Sequence, residues 1–447
     1  MRGRSITTMA VLTAAVALTT SACLGSSSNN TNNSGSGGNA TGGTAAGSTV
    51  EIMYAYGGDQ DKGFRASLDP WAKSQGITIK YNSSDQFDKL IQTRVQGGDL
   101  PNIAVFPQPG IIKGFVAKNA VQPLDDIVDI AKVKSTMVPG FLDAASVNGK
   151  VYGIPISANV KSLYWYDKAN FAAAGLTVPK TQDELYALMD KVKAAGKTPL
   201  CYGMESGGAT GWPATDWIED YVLQTAGIDV YDQWVAGTVK FSDAKLAPAF
   251  DIYQKMLMDD KNVFGGAKAA AANAFGTALN PMFAAANPSC FTGKQGNFIT
   301  GADFFGKAGV TAANIDTKVG VFQTPSVSGQ SPVLGGGDLL AVMKSDAATK
   351  AVAKYLTEDS TFGGPWAKTG TMLSPHKDFD VSNYPSQTLK DIATILQKAT
   401  VFRFDGSDSM PAKVGAGTFW TEMVKWQSGQ EDRATALTNI DNSWPAS

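Results

Sequence analysis

Between Thr49 and Phe106 the hydrophobic period of the chain switches repeatedly between two and 3.6 residues, a pattern few folds accept. Val50, Ile52, Tyr54 and Tyr56 alternate as a half-buried strand does, and Gly57–Gly58–Asp59 turns into a helix that stops at Gly76. Ile77, Ile79 and Tyr81 alternate again. Phe87, Leu90, Ile91 and Val95 then keep helical spacing up to Gly97–Gly98, and Ile103–Phe106 is a short, wholly apolar strand. Strands alternating with helices in this way form an open parallel sheet with helices on both faces. Ligands of such sheets bind beyond the carboxyl ends of the strands. The loops there are Gly57–Gln60, Ser83–Asp85 and Phe106–Pro109, which makes Asp59, Asp85, Phe106 and Gln108 candidate contacts.

A second constraint lies in Val147–Val192. A Gly-bearing turn at Asn148–Lys150 precedes a short strand, Val151–Ile156, that closes on Pro155 and the small pair Ser157–Ala158. A further apolar run, Ser162–Tyr166, leads into a helix at Lys168–Ala174. Thr181 and Glu184 then have capping-box spacing, followed by Leu185, Leu188, Met189 and Val192 on one helical face. Two strands joined by a short polar break suit a chain crossing from one lobe to another. Beyond the crossover helices dominate, at Trp217–Thr225, Ala247–Leu257, Ala347–Leu356, Pro385–Lys398 and Phe419–Gly429, with strands at Lys318–Phe322 and Leu339–Val342. The uncharged, Ala-rich Ala269–Ala286 reads as a buried helix, because Pro281 interrupts it and Ala and Asn are too weakly apolar for a membrane span.

The N-terminus reads as a targeting segment. Arg2 and Arg4 precede an apolar run from about Met9 to Leu18, and Ser21–Ala22–Cys23 follows. Residues 1–23 are expected to be a lipoprotein signal ending at a lipidated Cys23. Residues 24–48, rich in Ser, Asn, Gly and Thr, are expected to be a flexible tether. The chain has three cysteines, so in an oxidising, exported setting Cys201 and Cys290 are left to pair.

Several chemistries are excluded. A formal charge of −2 gives no basic footprint for nucleic acid. His376 is the single histidine, in a loop expected to be solvated, so neither a His-based triad nor a multi-His metal site is available. Gly335–Gly337 lacks the spacing of a phosphate loop and reads as a turn where backbones approach closely. Asp216, Glu219 and Asp220 could suggest a glycosidase pair, but their spacing is expected to put them on the exposed face of a helix start. No cofactor and no metal are expected.

Across most of the chain the segments LPNIAVFPQPG, AVQPLDD, VNGKVYGIPISANVKSLYWYDK, GLTVPKTQDEL, GWPATDWIEDYVL, GGGDLLAV and FRFDGSDSMPAKVGAGTFW occur in this order. They resemble the bacterial extracellular solute-binding proteins (carbohydrate-binding family 1), the sugar receptors of ABC importers. GWPATDWIED and FRFDGSDSMP look most like the alpha-glucoside-binding branch. The resemblance implies a two-lobed α/β fold of the class II periplasmic-binding-protein type, with a hinge and extra C-terminal helices. Residues 49–157 and 320–378 are assigned to the first lobe, and 158–319 and 379–447 to the second. It also implies a monomer that closes over a carbohydrate, docks on the permease subunits of an importer and is held to the outer face of the membrane by its lipid. Alternatives are a non-transport lipoprotein scaffold or sensor accessory of the same fold, or a secreted glycan-cleaving enzyme.

A sugar presents C–H faces to flat rings and hydroxyl rims to amides, carboxylates and guanidinium groups. Trp212 and Trp217 flank Thr215 and Asp216, supplying both kinds of partner in one short segment. Lys161 and Trp165 follow the crossover, Gly336 and Asp338 lie in the glycine turn, and Arg403, Asp405 and Asp408 lie in a late loop. Together with Asp59, Asp85, Phe106 and Gln108 these form the expected binding set.

Overall fold

A computed structural model describes residues 46–445. Cys23, the signal segment and most of the tether lie outside the described residues. The N-terminal part builds as its periodicity predicts. β1 (Thr49–Tyr54), α1 (Gly58–Ser74), β2 (Thr78–Ser83), α2 (Phe87–Gly97), β3 (Ile103–Phe106) and α3 (Pro109–Val116) follow in order. α2 ends on Gly98 at φ +71°, the left-handed cap that glycine adopts without steric cost. β3 is buried along its whole length, as a strand covered on both faces must be, which explains its unbroken apolar run.

The crossover region contains short strands. β4 (Ser146–Val147) and β5 (Lys150–Val151) form a hairpin through Asn148 and Gly149, both at positive φ. β6 (Ile154–Pro155), β7 (Asn159–Val160) and β8 (Leu163–Asp167) follow. Downstream come β9 (Thr292–Lys294), β10 (Val319–Gln323), β11 (Val333–Gly336), β12 (Leu339–Val342) and β13 (Phe402–Phe404). The capping box is present: Thr181 Oγ1 accepts the Glu184 N–H at 3.2 Å, and Glu184 accepts the Thr181 N–H at 3.4 Å.

Three sheets organise the molecule. The first has order β2-β1-β3-β12-β6, parallel through β2, β1 and β3 and antiparallel where β12 enters between β3 and β6. The second, β10-β8-β9, is antiparallel and pairs Val319–Gln323 with β8, across the expected boundary at residues 319 and 320. The third, β13-β11-β7, joins the crossover to two distant strands. Gly335 and Gly336, expected in a turn, belong to β11, and Gly335 and Gly337 serve close approach. A Cβ on Gly335 would overlap the carbonyl oxygen of Asn159, and one on Gly337 that of Ser157. Ser157 Oγ donates to Asp338 Oδ2 at 2.5 Å and the Ile156 N–H donates to the Asp338 carbonyl at 2.9 Å, so crossover and turn are clamped together.

Two expectations fail here. Ala269–Ala286 is not one helix but three short turns, Lys268–Ala271, Phe275–Ala278 and Asn280–Phe283, separated at residues 272–274 and at Leu279. His376 is buried rather than solvated, with Nδ1 2.8 Å from Thr136 Oγ1. A disulfide joins Cys201 to Cys290, with Cα atoms 5.3 Å apart, inside the core. No helix among the described residues is long and apolar enough to cross a membrane.

Candidate functional site

A cleft of about 580 Å³ opens where the loops after β2 and β3 face the second lobe. Asp85, Gln108 and the first turn of α3 line one side; Ser206, Ser407, Asp408 and Trp420 line the other. Its volume lies in the range of small-molecule sites, and its walls are rich in polar side chains, with Asp88, Lys89 and Gln92 of α2 beside apolar groups such as Ile111 and Met410. Gln108 Oε1 is buried here without a hydrogen-bond partner, although buried polar atoms are usually paired. An apolar chamber of about 550 Å³, bounded by Phe115, Val235, Pro411 and Trp444, adjoins the cleft and shares Gly110, Ile111 and Ala412 with it.

Behind the second-lobe wall lies a buried charged cluster. Lys161, just past β7, donates from Nζ to Asp216 at 3.1 Å and to Asp405 at 2.5 Å. Asp216 and Glu219 project from helix Trp212–Thr225, which is buried from Pro213 to Gln224. Glu219 accepts the backbone N–H groups of Gly406 at 2.8 Å and Ser407 at 3.0 Å. Lys294 donates to the Asp216 carbonyl at 3.0 Å and lies 3.3 Å from Asp220. Asp216, Glu219 and Asp405 bring carboxylate oxygens within 4.8 Å of one another, but the Lys161 ammonium and two backbone donors already face them. The acids expected on an exposed helix face are therefore interior, compensated by lysines from other elements.

The electrostatics follow from this burial. Burial would pull the Lys161 ammonium down, yet the charges of Asp216 and Asp405 outweigh it and hold it well above its usual value. Burial pushes Asp216 up against the pull of Lys161. Asp405 is also buried, but Lys161 and its hydrogen bonds hold it below the usual carboxylate range. Burial, then the charges of Asp405 and Asp216, push Glu219 up, with Lys161 and the Ser407 N–H opposing. Burial and the Asp405 charge push Asp408, on the cleft wall, up as well.

The expected binding residues separate into groups. Asp85, Gln108 and Asp408 line the cleft, while Lys161, Thr215, Asp216 and Asp405 stand behind its wall. Trp212 is half-buried and does not line this cleft. It packs edge-on to Phe275 and Phe298, at centroid distances of 4.9 and 5.9 Å, with Lys161 Nζ 5.2 Å from its ring centre. Three proposed rings are core instead. Phe106 packs between Phe87 and Phe115, Trp165 donates from Nε1 to the Gln295 carbonyl, and Trp217 packs edge-on to Tyr164. Asp59 is exposed in the first turn of α1, paired with Lys62 at 2.9 Å. Arg403 forms a two-pronged pair with Asp232 at 2.6 and 2.8 Å, away from the cleft. Gly336 is buried in the β11 ladder and Asp338 holds the crossover turn, so both shape the junction between lobes. Sequence reasoning missed Ser407 and Trp420 as cleft residues and Glu219 as their support. The Asp405-x-x-Asp408 spacing was the available signal, since the Asp405 carboxylate caps the next turn by accepting the Asp408 N–H at 2.8 Å.

Comparison with known proteins shows the family and the fold. Residues 46–360 match the family described as bacterial extracellular solute-binding protein. The chain is 36% identical over 398 residues to the osmoprotective compounds-binding protein GgtB of Synechocystis sp., covering 89% of this chain and 92% of that one. It is 34% identical over 413 residues to the alpha-glucosides-binding periplasmic protein AglE of Rhizobium meliloti, covering 89% and 87%. Among solved structures, the fold superposes on the bacterial solute receptor AcbH with a TM-score of 0.71 at 17% identity, covering 89% of this chain and 98% of that one. A chitin oligosaccharide binding protein gives a TM-score of 0.71 at 18% identity over the same shares. Both the sequence matches and the two-lobed fold lead to one assignment: the chain belongs to the bacterial extracellular solute-binding protein family and is a binding protein, not an enzyme.

Proposed function

We propose that the protein is the carbohydrate receptor of an ABC importer and takes an alpha-glucoside or a related small glycoside between its lobes. One observation carries the reading. The cleft sets the unpartnered amide oxygen of Gln108 and the carboxylate of Asp85 opposite Asp408 and the Trp420 ring, which pairs hydroxyl-binding groups with a flat apolar face. The half-buried Trp212, Phe275 and Phe298 cluster offers a further aromatic surface on the second lobe. The named ligands of the relatives, alpha-glucosides and osmoprotective compounds, support the same class.

In this reading residues 49–157 and 320–378 form one lobe and 158–319 and 379–447 the other. Ile156–Asn159 is one hinge strand, and ligand touching both lobes favours the closed form. A monomer tethered through a lipid on Cys23 presents that closed form to the permease subunits. The test is titration calorimetry against a panel of alpha-linked mono-, di- and trisaccharides, with small-angle scattering on the same samples. Saturable binding without hydrolysis, with a contracting profile, supports the receptor. Turnover would make it an enzyme, and neither binding nor turnover would leave a scaffold of the same fold.

A further inference from the structure

The turn on the Ser407–Asp408 wall of the cleft is held by its own bonds, the Asp405 cap and the Ser409 and Met410 N–H groups, and also from behind. Residues 405–410 carry Ser407 and Asp408 into the cleft, and they are bound from behind by Glu219, which does not line it, and sideways to Trp420, which does. Glu219 binds two consecutive backbone N–H groups, those of Gly406 and Ser407, at 2.8 and 3.0 Å. Asp405 accepts the Ser407 hydroxyl at 2.8 Å, and Ser407 Oγ in turn accepts the Trp420 indole N–H at 3.1 Å. Close packing seals the arrangement. A Cβ on Gly415, within the π-helical stretch Lys413–Phe419, would overlap the Ser407 carbonyl, and one on Gly110 of α3 would overlap that of Met410. Wide helical turns of this kind often occur at functional sites.

Resting on the sugar-receptor reading, we infer that Glu219 is a positioning residue for the binding cleft. Through Gly406 and Ser407 it fixes where Asp408 and the Trp420 ring stand. Gln at this position keeps the shape but offers one acceptor to two N–H donors, and its amide NH2 would face the second of them. The loop must then turn, and through Ser407 it carries the Trp420 indole with it.

The experiment uses full-length protein labelled with 5-fluorotryptophan. The nine tryptophans give the ¹⁹F spectrum, in which Trp420 is identified by its loss in Trp420→Phe. Glu219→Gln should move the Trp420 resonance in the unliganded protein and weaken binding of the best sugar of the panel by about tenfold. Glu51→Gln breaks the pair between Glu51 on β1 and Arg94 on α2, neither of which lines the cleft, and should leave both readings at wild-type values while lowering stability. Should Glu219→Gln not fold, Ser407→Ala removes the acceptor for the Trp420 indole and should give the same two changes. An unmoved Trp420 resonance, or wild-type affinity in whichever variant folds, overturns the inference. A wild-type protein that binds no sugar overturns the receptor reading instead, and the unliganded ¹⁹F shift still decides the positioning.

Discussion

Replacing Lys161 by Met tests the buried cluster directly. The Lys161 side chain is 10% exposed and those of Asp216 and Asp405 are 6% and 1%, so solvent does little to screen the three charges. Met matches the bulk of the lysine stem but leaves the Asp405 carboxylate without its counterion, beside an Asp216 carboxyl that burial already pushes up. Removing one partner of a buried charged group costs about 3–5 kcal/mol, more than the pair itself contributes. For roughly 400 ordered residues the unfolding entropy is about 0.8 kcal/mol per degree, so Tm should fall by about 4–6 °C. The pH dependence carries the diagnostic sign. In the native protein the Asp405 carboxyl is held below its ordinary 3.8, so its contribution is present above that value and lost as pH falls through the lowered one. Without the ammonium, burial dominates and the pKa rises above 3.8, so stability is lost as pH rises through the raised value. The difference between the two proteins should therefore widen from about pH 4 to about pH 8, as followed by scanning calorimetry. Equal Tm values at pH 8, or a difference that does not change with pH, would refute the charge-compensation argument.

Other perturbations probe separate parts. Cys201→Ser with Cys290→Ser opens a loop of sequence separation 89 and should lower stability by about 3–5 kcal/mol, read by denaturant unfolding; unreduced wild-type protein that takes up alkylating label at these positions contradicts the bond. The hydrogen bond from Arg94 lowers the Glu51 carboxyl to about 2, so its contribution is present above the ordinary 4.5 and lost between there and about 2. Arg94→Gln should flatten the acid limb of the stability profile and, after discount for solvent screening, cost about 1–2 kcal/mol at neutral pH; an unchanged acid limb rules this out. Gln108→Leu should weaken sugar binding about tenfold with Tm unchanged, and full affinity would remove Gln108 from the site. Trp212→Ala should cost about 1–3 kcal/mol of sugar affinity by calorimetry, whereas lost stability with intact affinity would make the ring a packing residue.

What was legible in the sequence is what depends on neighbours along the chain. The parallel strands β1, β2 and β3 followed from period changes, the Thr181 capping box from a four-residue motif and the close approach at Gly335–Gly337 from the lack of a side chain, whereas the antiparallel entry of β12 did not. Apart from the Cys201–Cys290 pair, which the cysteine count alone left to form, readings that depend on a distant partner failed. Asp216 looks like a solvated helix acid until Lys161, 55 residues earlier, is placed against it, and Arg403 looks free until Asp232, 171 residues away, closes on it. Rings were ambiguous for another reason. Phe106 and Trp165 lie on strands whose two faces are both covered, so alternation could not say whether a ring points to ligand or to core. Trp420 carried no local mark, because its role comes from one hydrogen bond to Ser407.

The entry of β12 between β3 and β6 has a consequence for how the chain is made. The first sheet's interior strand comes from residues 339–342, long after β3 at 103–106 has left the ribosome. Until Leu339 emerges, β3 and β6 each present an open hydrogen-bonding edge, and such edges recruit other chains. Loop closure over so long a separation also slows folding relative to local helix formation. The first lobe is thus a late product of synthesis despite its early sequence, and truncations that stop short of residue 339 should aggregate rather than fold as a separable half.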